Sequence, residues 1–461
     1  MIVFRRLLTT TAIHLYKTTS KVHGYNRLQL LRKMIEPHAR QNPFIMKLDT
    51  PEYKSIFTEE LTFLVSLFKE YGYELRIAGG AVRDLLMNKT PKDIDFATTA
   101  TPDQMKEMFG AEKIRMINDK GEKHGTITPR INDKENFEIT TLRIDVVTDG
   151  RHAEVQFTTD WLLDANRRDL TINSMFLDFD GCVYDYFHGY EDLQNHRIAF
   201  VGDAATRIQE DYLRILRYFR FYGRIAKVPN DHERKTLDAI RNNVQGLSKI
   251  SGERIWVELK QILEGNYAGE LTRTIVEMGI APHIGLPSNP NIEELEIVWN
   301  RSKNNKLQAI TLLSSLLKTQ NDVLALHNRL KLSAYERDLA SFIVQHREPK
   351  INSKPLFPYQ QLLAKSKGKI SDVNQWIVEV LKYNNSPHLE EFKKWKLPKF
   401  PVSGNMLKEK GVEGGRFMGV VLNELKNYWA DNDFKLESDD LLKQVPRVLD
   451  MLETKRKSKT N

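Results

Sequence analysis

Cysteine is nearly absent: Cys182 stands alone among 461 residues. An internal disulfide is therefore excluded, and so is a zinc site built on cysteines. No histidine opens an HExxH motif or a His-Asp pair. Histidine-based metallohydrolase chemistry is not suggested. No stretch approaches the roughly 18 uninterrupted apolar residues of a membrane span. Acidic residues are missing from positions 1–35, which carry Arg5, Arg6, Lys17, Lys21, Arg27, Arg32 and Lys33 among many Thr and Leu. That is the composition of a mitochondrial targeting segment; a basic arm that touches nucleic acid is the alternative. Met34 and Met46 are alternative starts whose products would lack the arm and stay in the cytoplasm or nucleus. The basic end, 451–461, reads as disordered, with "KRKSKT" either a weak nuclear signal or a solvated tail.

What is present is ordinary for a globular protein: 41% hydrophobic and 28% charged residues. The length suggests about three compact units. A net charge of +8 implies either a merely basic surface or an anionic partner such as nucleic acid. From 56 to 200 the pattern alternates. Residues 57–72 have helical spacing and stop at Gly72. "ELRIAGG" reads as a strand into a glycine turn, "AVRDLLM" as a helix and "DIDFATTA" as a strand. Thr101 followed by Pro102 starts another helix. "GTITPRI", "NFEITTLRID" and "AEVQFTT" read as strands, and the stretch after Ser174 as a hairpin turning at Asp180-Gly181. After about 203 the apolar spacing is helical, broken near 282–290, 349–358 and 398–404. The expected fold class is α+β: a head with a mixed or antiparallel sheet, then an elongated all-α neck, body and tail.

Three constellations carry chemistry. In "GGAVRDLLMNKTPKDIDF" (79–96), Asp93 and Asp95 are two residues apart. On a strand both carboxylates share a face, with Ile94 turned to the core. Two such charges are tolerated around a divalent cation, and Mg2+ prefers one or two carboxylates plus substrate phosphates. Gly79 and Gly80 let backbone N–H groups approach a triphosphate at a helix start that also carries Arg83. Each piece alone is commonly just a turn; together they fit a metal-bound nucleotide. The second is "RRDLTINSM" (167–175), in which Arg168, Asp169 and Asn173 suit a ribose or phosphate, unless it is only a helix start with a charged first turn. The third is "EDYLRILRYFRFYGR" (210–224). Asp211, Arg214 and Arg217 step by three along a helix. Buried, they form either a salt-bridge network or a base reader. A carboxylate beside a guanidinium matches the amine and acceptor of cytosine and adenine and rejects guanine and uracil. Arg220 completes the candidate nucleotide-binding set, although helical geometry turns it away from Asp211.

In order and spacing these elements resemble a class II CCA-adding enzyme of the eukaryotic mitochondrial type, a tRNA nucleotidyltransferase of the DNA polymerase beta superfamily. "GGAVRD…DID" is similar to the family's catalytic motif and "RRDLTIN" to its ribose motif. "DYFHGYEDL" resembles the head–neck linker, "EDYLRILR" the amino-acid template and "SGERIWVEL" the neck-helix motif. The resemblance covers about 75–270. It implies sequential addition of C, C and A to the tRNA 3′ end from CTP and ATP. It implies Mg2+ held by Asp93 and Asp95, with Glu138 a third catalytic carboxylate. Gly80 and Arg83 would hold the triphosphate, Arg168, Asp169 and Asn173 the ribose, and Asp211 and Arg214 the base, with Arg217 in support. The glycine-punctuated stretch 114–125 would be the loop that helps the switch from C to A. The expected divisions are a targeting segment at 1–35, a catalytic head at 47–180, a neck at 181–270, a body at 271–345 and a tRNA-gripping tail at 346–450. Asn88 stands where bacterial members often have glycine. A partial CC- or A-adding enzyme, a poly(A) polymerase and a non-catalytic tRNA-binding relative share these motifs and stay open.

Overall fold

The computed structural model describes residues 24–117, 121–148, 153–349, 353–366 and 368–457. The chain divides into two compact units, Met1–Ile250 and Ser251–Asn461, where its length suggested about three.

The first unit opens on helix α1 (Gly24–Ile35), followed by strand β1 (Phe44–Lys47). Part of the expected targeting segment is therefore helical, and Arg32 pairs with Glu36 at 2.8 Å and with Asp160. The rest of that segment lies outside the described residues. Helix α2 (Glu59–Glu70) starts where the Thr58 hydroxyl accepts from Leu61 N–H, and it buries Leu61, Leu64, Leu67 and Phe68. Strand β2 (Leu75–Ala78) leads through Gly79 to α3 (Gly80–Leu86). Strand β3 (Asp95–Thr98) precedes α4 (Pro102–Ala111), whose start is a full capping box between Thr101 and Gln104.

The β-branched stretches divide into shorter strands than their patterns suggest. "GTITPRI" splits into β5 (Thr126–Ile127) and β6 (Pro129–Ile131), after β4 (Arg115–Met116). "NFEITTLRID" splits into β7 (Glu135–Asn136), β8 (Glu138–Thr141) and β9 (Arg143–Thr148), and β10 (Ala153–Phe157) pairs with β9. The two breaks fall at Phe137 and Leu142, which are buried. There follow α5 (Trp161–Arg167), the hairpin β11 (Phe176–Leu177) and β12 (Cys182–Tyr184), α6 (Gly189–Gln194), α7 (Ala204–Glu210), α8 (Arg214–Ile225) and α9 (Arg234–Arg241). The main sheet runs β1-β12-β11-β2-β3-β8-β5. Among the described residues only β3 and β8 pair in parallel, so the sheet is mixed, as expected. Its hairpin turns at Gly181, where φ is 86° and a Cβ would lie 2.5 Å from the Leu48 carbonyl oxygen. Ile77, Phe96, Ile139 and Phe176 form the core beneath.

Among its described residues the second unit is helical without a strand. Its helix α10 (Gly252–Leu263) carries "GERIWVEL" and starts tight against α11 (Gln320–Leu330). A Cβ on Gly252 would sit 1.8 Å from the Arg329 carbonyl oxygen. Near the C-terminus, α12 (Arg416–Asp431) packs with α13 (Val445–Lys457). Here the expectation of a disordered end at 451–461 is corrected as far as Lys457; residues 458–461 lie outside the described residues. The helix runs to Lys457 because Val445, Val448, Leu449 and Leu452 pack on a cluster with Leu425 and Trp429. No helix of the described residues is long and apolar enough to cross a membrane.

Candidate active site

Every residue singled out in the three motifs lies in the first unit. Asp95 is the first residue of β3, so the expectation that both aspartates ride on one strand is corrected. Asp93 lies in an exposed bend before the strand, and Ile94 is half-buried instead of turned fully to the core. Lys92 and Asp93 stay in water, and no ladder bond draws them into the sheet. Asp95 aligns with Glu138 on the neighbouring parallel strand, which puts both side chains on one face. Partial desolvation by the surrounding protein raises the Asp95 carboxyl above its usual range; Glu138 adds to this, Arg168 opposes it and Asp93 adds a little more. Among the described residues no group of three or more His, Cys, Asp or Glu side chains could hold a metal ion.

At the other end of the motif, Gly79 adopts φ +68°. Its N–H donates to the Met175 carbonyl at 3.1 Å, fixing the turn against the second motif. A Cβ there would stand 3.0 Å from Arg168 Nη1. Arg83 is 4% exposed. Its Nη1 donates to Asn173 Oδ1 at 2.6 Å, and Nη2 and Nε donate to Asp84 Oδ1 at 2.8 and 3.0 Å. Burial weakens the proton affinity of this guanidinium and Asp84 opposes that loss. Asn88, φ 54°, holds a left-handed position, which explains why glycine also suits it.

The second motif is not a helix start. Arg167 ends α5, Arg168 is its C-cap, and Thr171–Asn173 makes a 3-10 turn. The linker motif builds this turn. Asp185 accepts from the N–H groups of Phe187, Gly189 and Tyr190 at 3.1, 3.0 and 3.0 Å. The Thr171 hydroxyl donates to Asp192 at 2.6 Å. A Cβ on Gly189 would lie 2.2 Å from the Thr171 carbonyl oxygen, so only glycine allows the approach. Held this way, Asn173 keeps its amide Nδ2 buried with no hydrogen-bond partner. Such an orphaned donor is costly unless a ligand meets it. Asp169 is buried, accepting from Leu170 N–H at 2.9 Å and from Arg217 Nε at 2.5 Å. Burial pushes its carboxyl up, but Arg217 outweighs that and holds it below the usual range.

The third motif is not one helix. The chain is extended at Asp211, with φ −150°, between α7 and α8. Its Oδ1 accepts from Leu213 N–H at 3.1 Å, a local bond that competes with helix continuation. The run from Glu210 is therefore not one helix, but Asp211 and Arg214 still share the turn that opens α8, where the Asp211 carbonyl accepts from Arg214 N–H at 3.0 Å. Arg214 Nη1 donates to Glu210 Oε2 at 2.5 Å and to the Arg207 carbonyl at 3.0 Å, and Nη2 to the Arg167 carbonyl at 2.8 Å. Arg83, Arg217, Arg220 and Arg224 gather around one ring, Phe221, at 5.0, 5.6, 4.4 and 5.8 Å from its centroid. That guanidinium cluster is a ready counter-charge for a polyphosphate.

Residues 75–199 match the family described as the poly A polymerase head domain, and residues 232–288 that described as a probable RNA and SrmB-binding site of polymerase A. Over 430 residues the chain is 52% identical to the mitochondrial CCA tRNA nucleotidyltransferase 1 of Mus musculus, covering 92% of this chain and 96% of that relative. The chain belongs to the CCA tRNA nucleotidyltransferase family. Its identity to the CCA-adding enzyme of Staphylococcus haemolyticus is 29%, over 84% of this chain and 95% of that one. The fold matches a crystal structure of the Bacillus stearothermophilus CCA-adding enzyme in complex with CTP, with a TM-score of 0.67 at 23% identity, covering 89% of this chain and all (100%) of that one. It also matches the Thermotoga maritima CCA-adding enzyme complexed with tRNA, with a TM-score of 0.62 at 20% identity, over 89% of this chain and 100% of that one.

Within this member of the CCA tRNA nucleotidyltransferase family, sequence reasoning missed Asp84, Glu210, Phe221, Arg224 and also Asp164, which accepts from Arg167 Nε at 2.8 Å and Arg168 Nη2 at 3.1 Å. Glu210 had a signal, since its spacing of four from Arg214 favours an ion pair on a helix. Phe221 had none, because an aromatic on an amphipathic helix reads as core. The expected mobile loop at 114–125 is described only in part. Residues 118–120 lie outside the described residues, between β4 and a 3-10 turn at Glu122–His124.

Proposed function

We propose that this chain adds C, C and A in sequence to the 3′ end of tRNA, using CTP and ATP and no nucleic-acid template. The observation that carries the reading is the joining of three recognition elements in one unit: exposed aspartates, a buried ribose turn with an unmet amide donor, and arginines around Phe221. Asp93 and Asp95 would hold Mg2+. The donor set fits that ion, since these are hard oxygens and Asp95 is crowded by like charge that a cation relieves. When bound, the metal lowers the pKa of the attacking hydroxyl and neutralises charge on the leaving pyrophosphate.

The chain's own residues do the rest. Gly79 and Gly80 leave room for phosphates at the turn, and Arg83, Arg217 and Arg220 supply positive charge. Asn173 Nδ2 donates to the ribose, beside Arg168 and Asp169. Arg214 donates to the base, already aimed by Glu210 and two carbonyls, and Asp211 accepts from its exocyclic amine. Glu138, in register with Asp95, adds negative charge on the metal side. The segments 181–270, 271–345 and 346–450 serve as neck, body and tRNA-binding tail, gripping the acceptor and TΨC arms through phosphates. Residues 1–35 direct import into mitochondria, in keeping with the mitochondrial relative. A product begun at Met34 would lose most of α1 and with it the Arg32 pairs.

The test is Asp95→Asn. Loss of nucleotide addition by at least roughly 100-fold, with tRNA affinity kept, supports the reading. Addition retained at the wild-type rate would sink the metal assignment.

A further inference from the structure

We propose that Asp164 is a positioning residue that fixes the metal and ribose side of the site against its base-reading side. This rests on the nucleotide-addition reading above. Asp164 sits on α5 with 1% exposure, so it touches no substrate itself. Both of its oxygens are saturated. Oδ1 accepts from Arg167 Nε at 2.8 Å and from the backbone N–H of Arg143 at 3.2 Å. Oδ2 accepts from Arg168 Nε and Nη2 at 3.2 and 3.1 Å. Burial pushes this carboxyl up, but Arg167 and Arg168 outweigh it and hold it below the usual range.

Each partner leads to a different part of the site. Arg168 extends to the Gly79 turn and the Asn173 carbonyl, which its Nη1 meets at 3.3 Å, and its charge is felt at Asp95. Arg167 offers its carbonyl to Arg214 Nη2. The preceding Asn166 carbonyl accepts from Arg207 Nη1 at 2.7 Å, and the Arg207 carbonyl in turn accepts from Arg214. The Arg143 bond anchors the start of β9, which pairs antiparallel with β10. One buried carboxylate therefore clamps the end of α5, which carries a ribose-side guanidinium, Arg168, and a base-side acceptor, the Arg167 carbonyl. A buried charge with two guanidinium partners is costly to lose, because both guanidiniums are left to find new acceptors. The nearly isosteric Asp164→Asn change keeps the shape, removes the charge, and lets both arginines drift.

The experiment measures kcat and KM for each of the four nucleoside triphosphates, added singly to tRNA ending before CCA and after CC. It compares wild type, Asp164→Asn, Asp164→Glu and Arg167→Gln. For Asp164→Asn the expected result is a KM for CTP and ATP raised roughly tenfold and a preference over UTP and GTP lowered roughly tenfold, the size of one charge-assisted bond. Asp164→Glu restores part of the preference. Arg167→Gln, which removes one guanidinium but no proposed substrate contact, lowers the preference less. A merely structural Asp164 would lower the melting temperature and leave the preference unchanged, and that result overturns the proposal. If Asp164→Asn does not fold, unchanged preference in Arg167→Gln overturns it instead. A wild type that adds no nucleotide overturns the reading on which the proposal rests.

Discussion

Replacing Gly79 by alanine tests the turn at the centre of the site. Gly79 has φ +68° and ψ −118°, a conformation that L side chains rarely adopt. Holding a residue in such a region costs about 1–3 kcal/mol. The new Cβ also stands 3.0 Å from Arg168 Nη1 and 3.5 Å from the Asn173 carbonyl oxygen. Arg168 must give way by a few tenths of an ångström, which weakens its 3.3 Å bond to that carbonyl by at most about 1 kcal/mol. The sum is about 1–4 kcal/mol, or roughly 2–16 °C in melting temperature for a unit of this size. Gly80→Ala is the matched control. Its φ is not positive, and its Cβ would meet nothing closer than Arg83 Nη2 at 3.6 Å, an ordinary contact. That change should leave the melting temperature within about 2 °C. Thermal melts of the three proteins, with KM for CTP alongside, read both effects. Equal stability of the two alanine variants would refute the steric reasoning.

Two further outcomes are expected. Gly246→Ala places a Cβ 1.9 Å from the ring of Tyr212, the residue after Asp211. The ring must move, so C and A addition should fall at least tenfold together with stability, by roughly 2–3 kcal/mol from overpacking; urea melts and single-nucleotide assays check it. His232 hydrogen-bonds Tyr218 at 3.0 Å and lies 3.9 Å from the Tyr222 ring, and burial pulls its pKa down to about 4 from 6.5. The unfolded chain then takes up this proton first. Stability from the neutral ring is complete above pH 6.5 and declines as pH falls toward 4. His232→Phe should flatten that part of the pH–stability profile, measured by urea unfolding at pH 7, 6 and 5.

Much of the fold was legible because it follows local pattern. The Thr101-Pro102 helix start, the Asp180-Gly181 hairpin and the helical second unit all appear where periodicity and turn chemistry place them. The α8 region was misread because apolar spacing continues through a break that a single side-chain bond from Asp211 enforces. The strand of the first motif was drawn two residues too early, since Asp93 finds water instead of a ladder partner. The motif residues themselves converge, but what holds them was hidden. Asp164 on an amphipathic helix looks like any solvent-facing carboxylate until its four donors are seen. The linker motif carried no chemistry in sequence; only contact at Gly189 and Asp192 reveals that it shapes the ribose turn.

The most direct measurement mixes the purified protein with Mg2+, all four nucleoside triphosphates and three tRNAs ending before CCA, after C and after CC, and sequences the product ends. Completion of CCA on each, then a stop, with no U or G, is the predicted result. A continuing run of A, partial addition, or no extension at all would contradict the account.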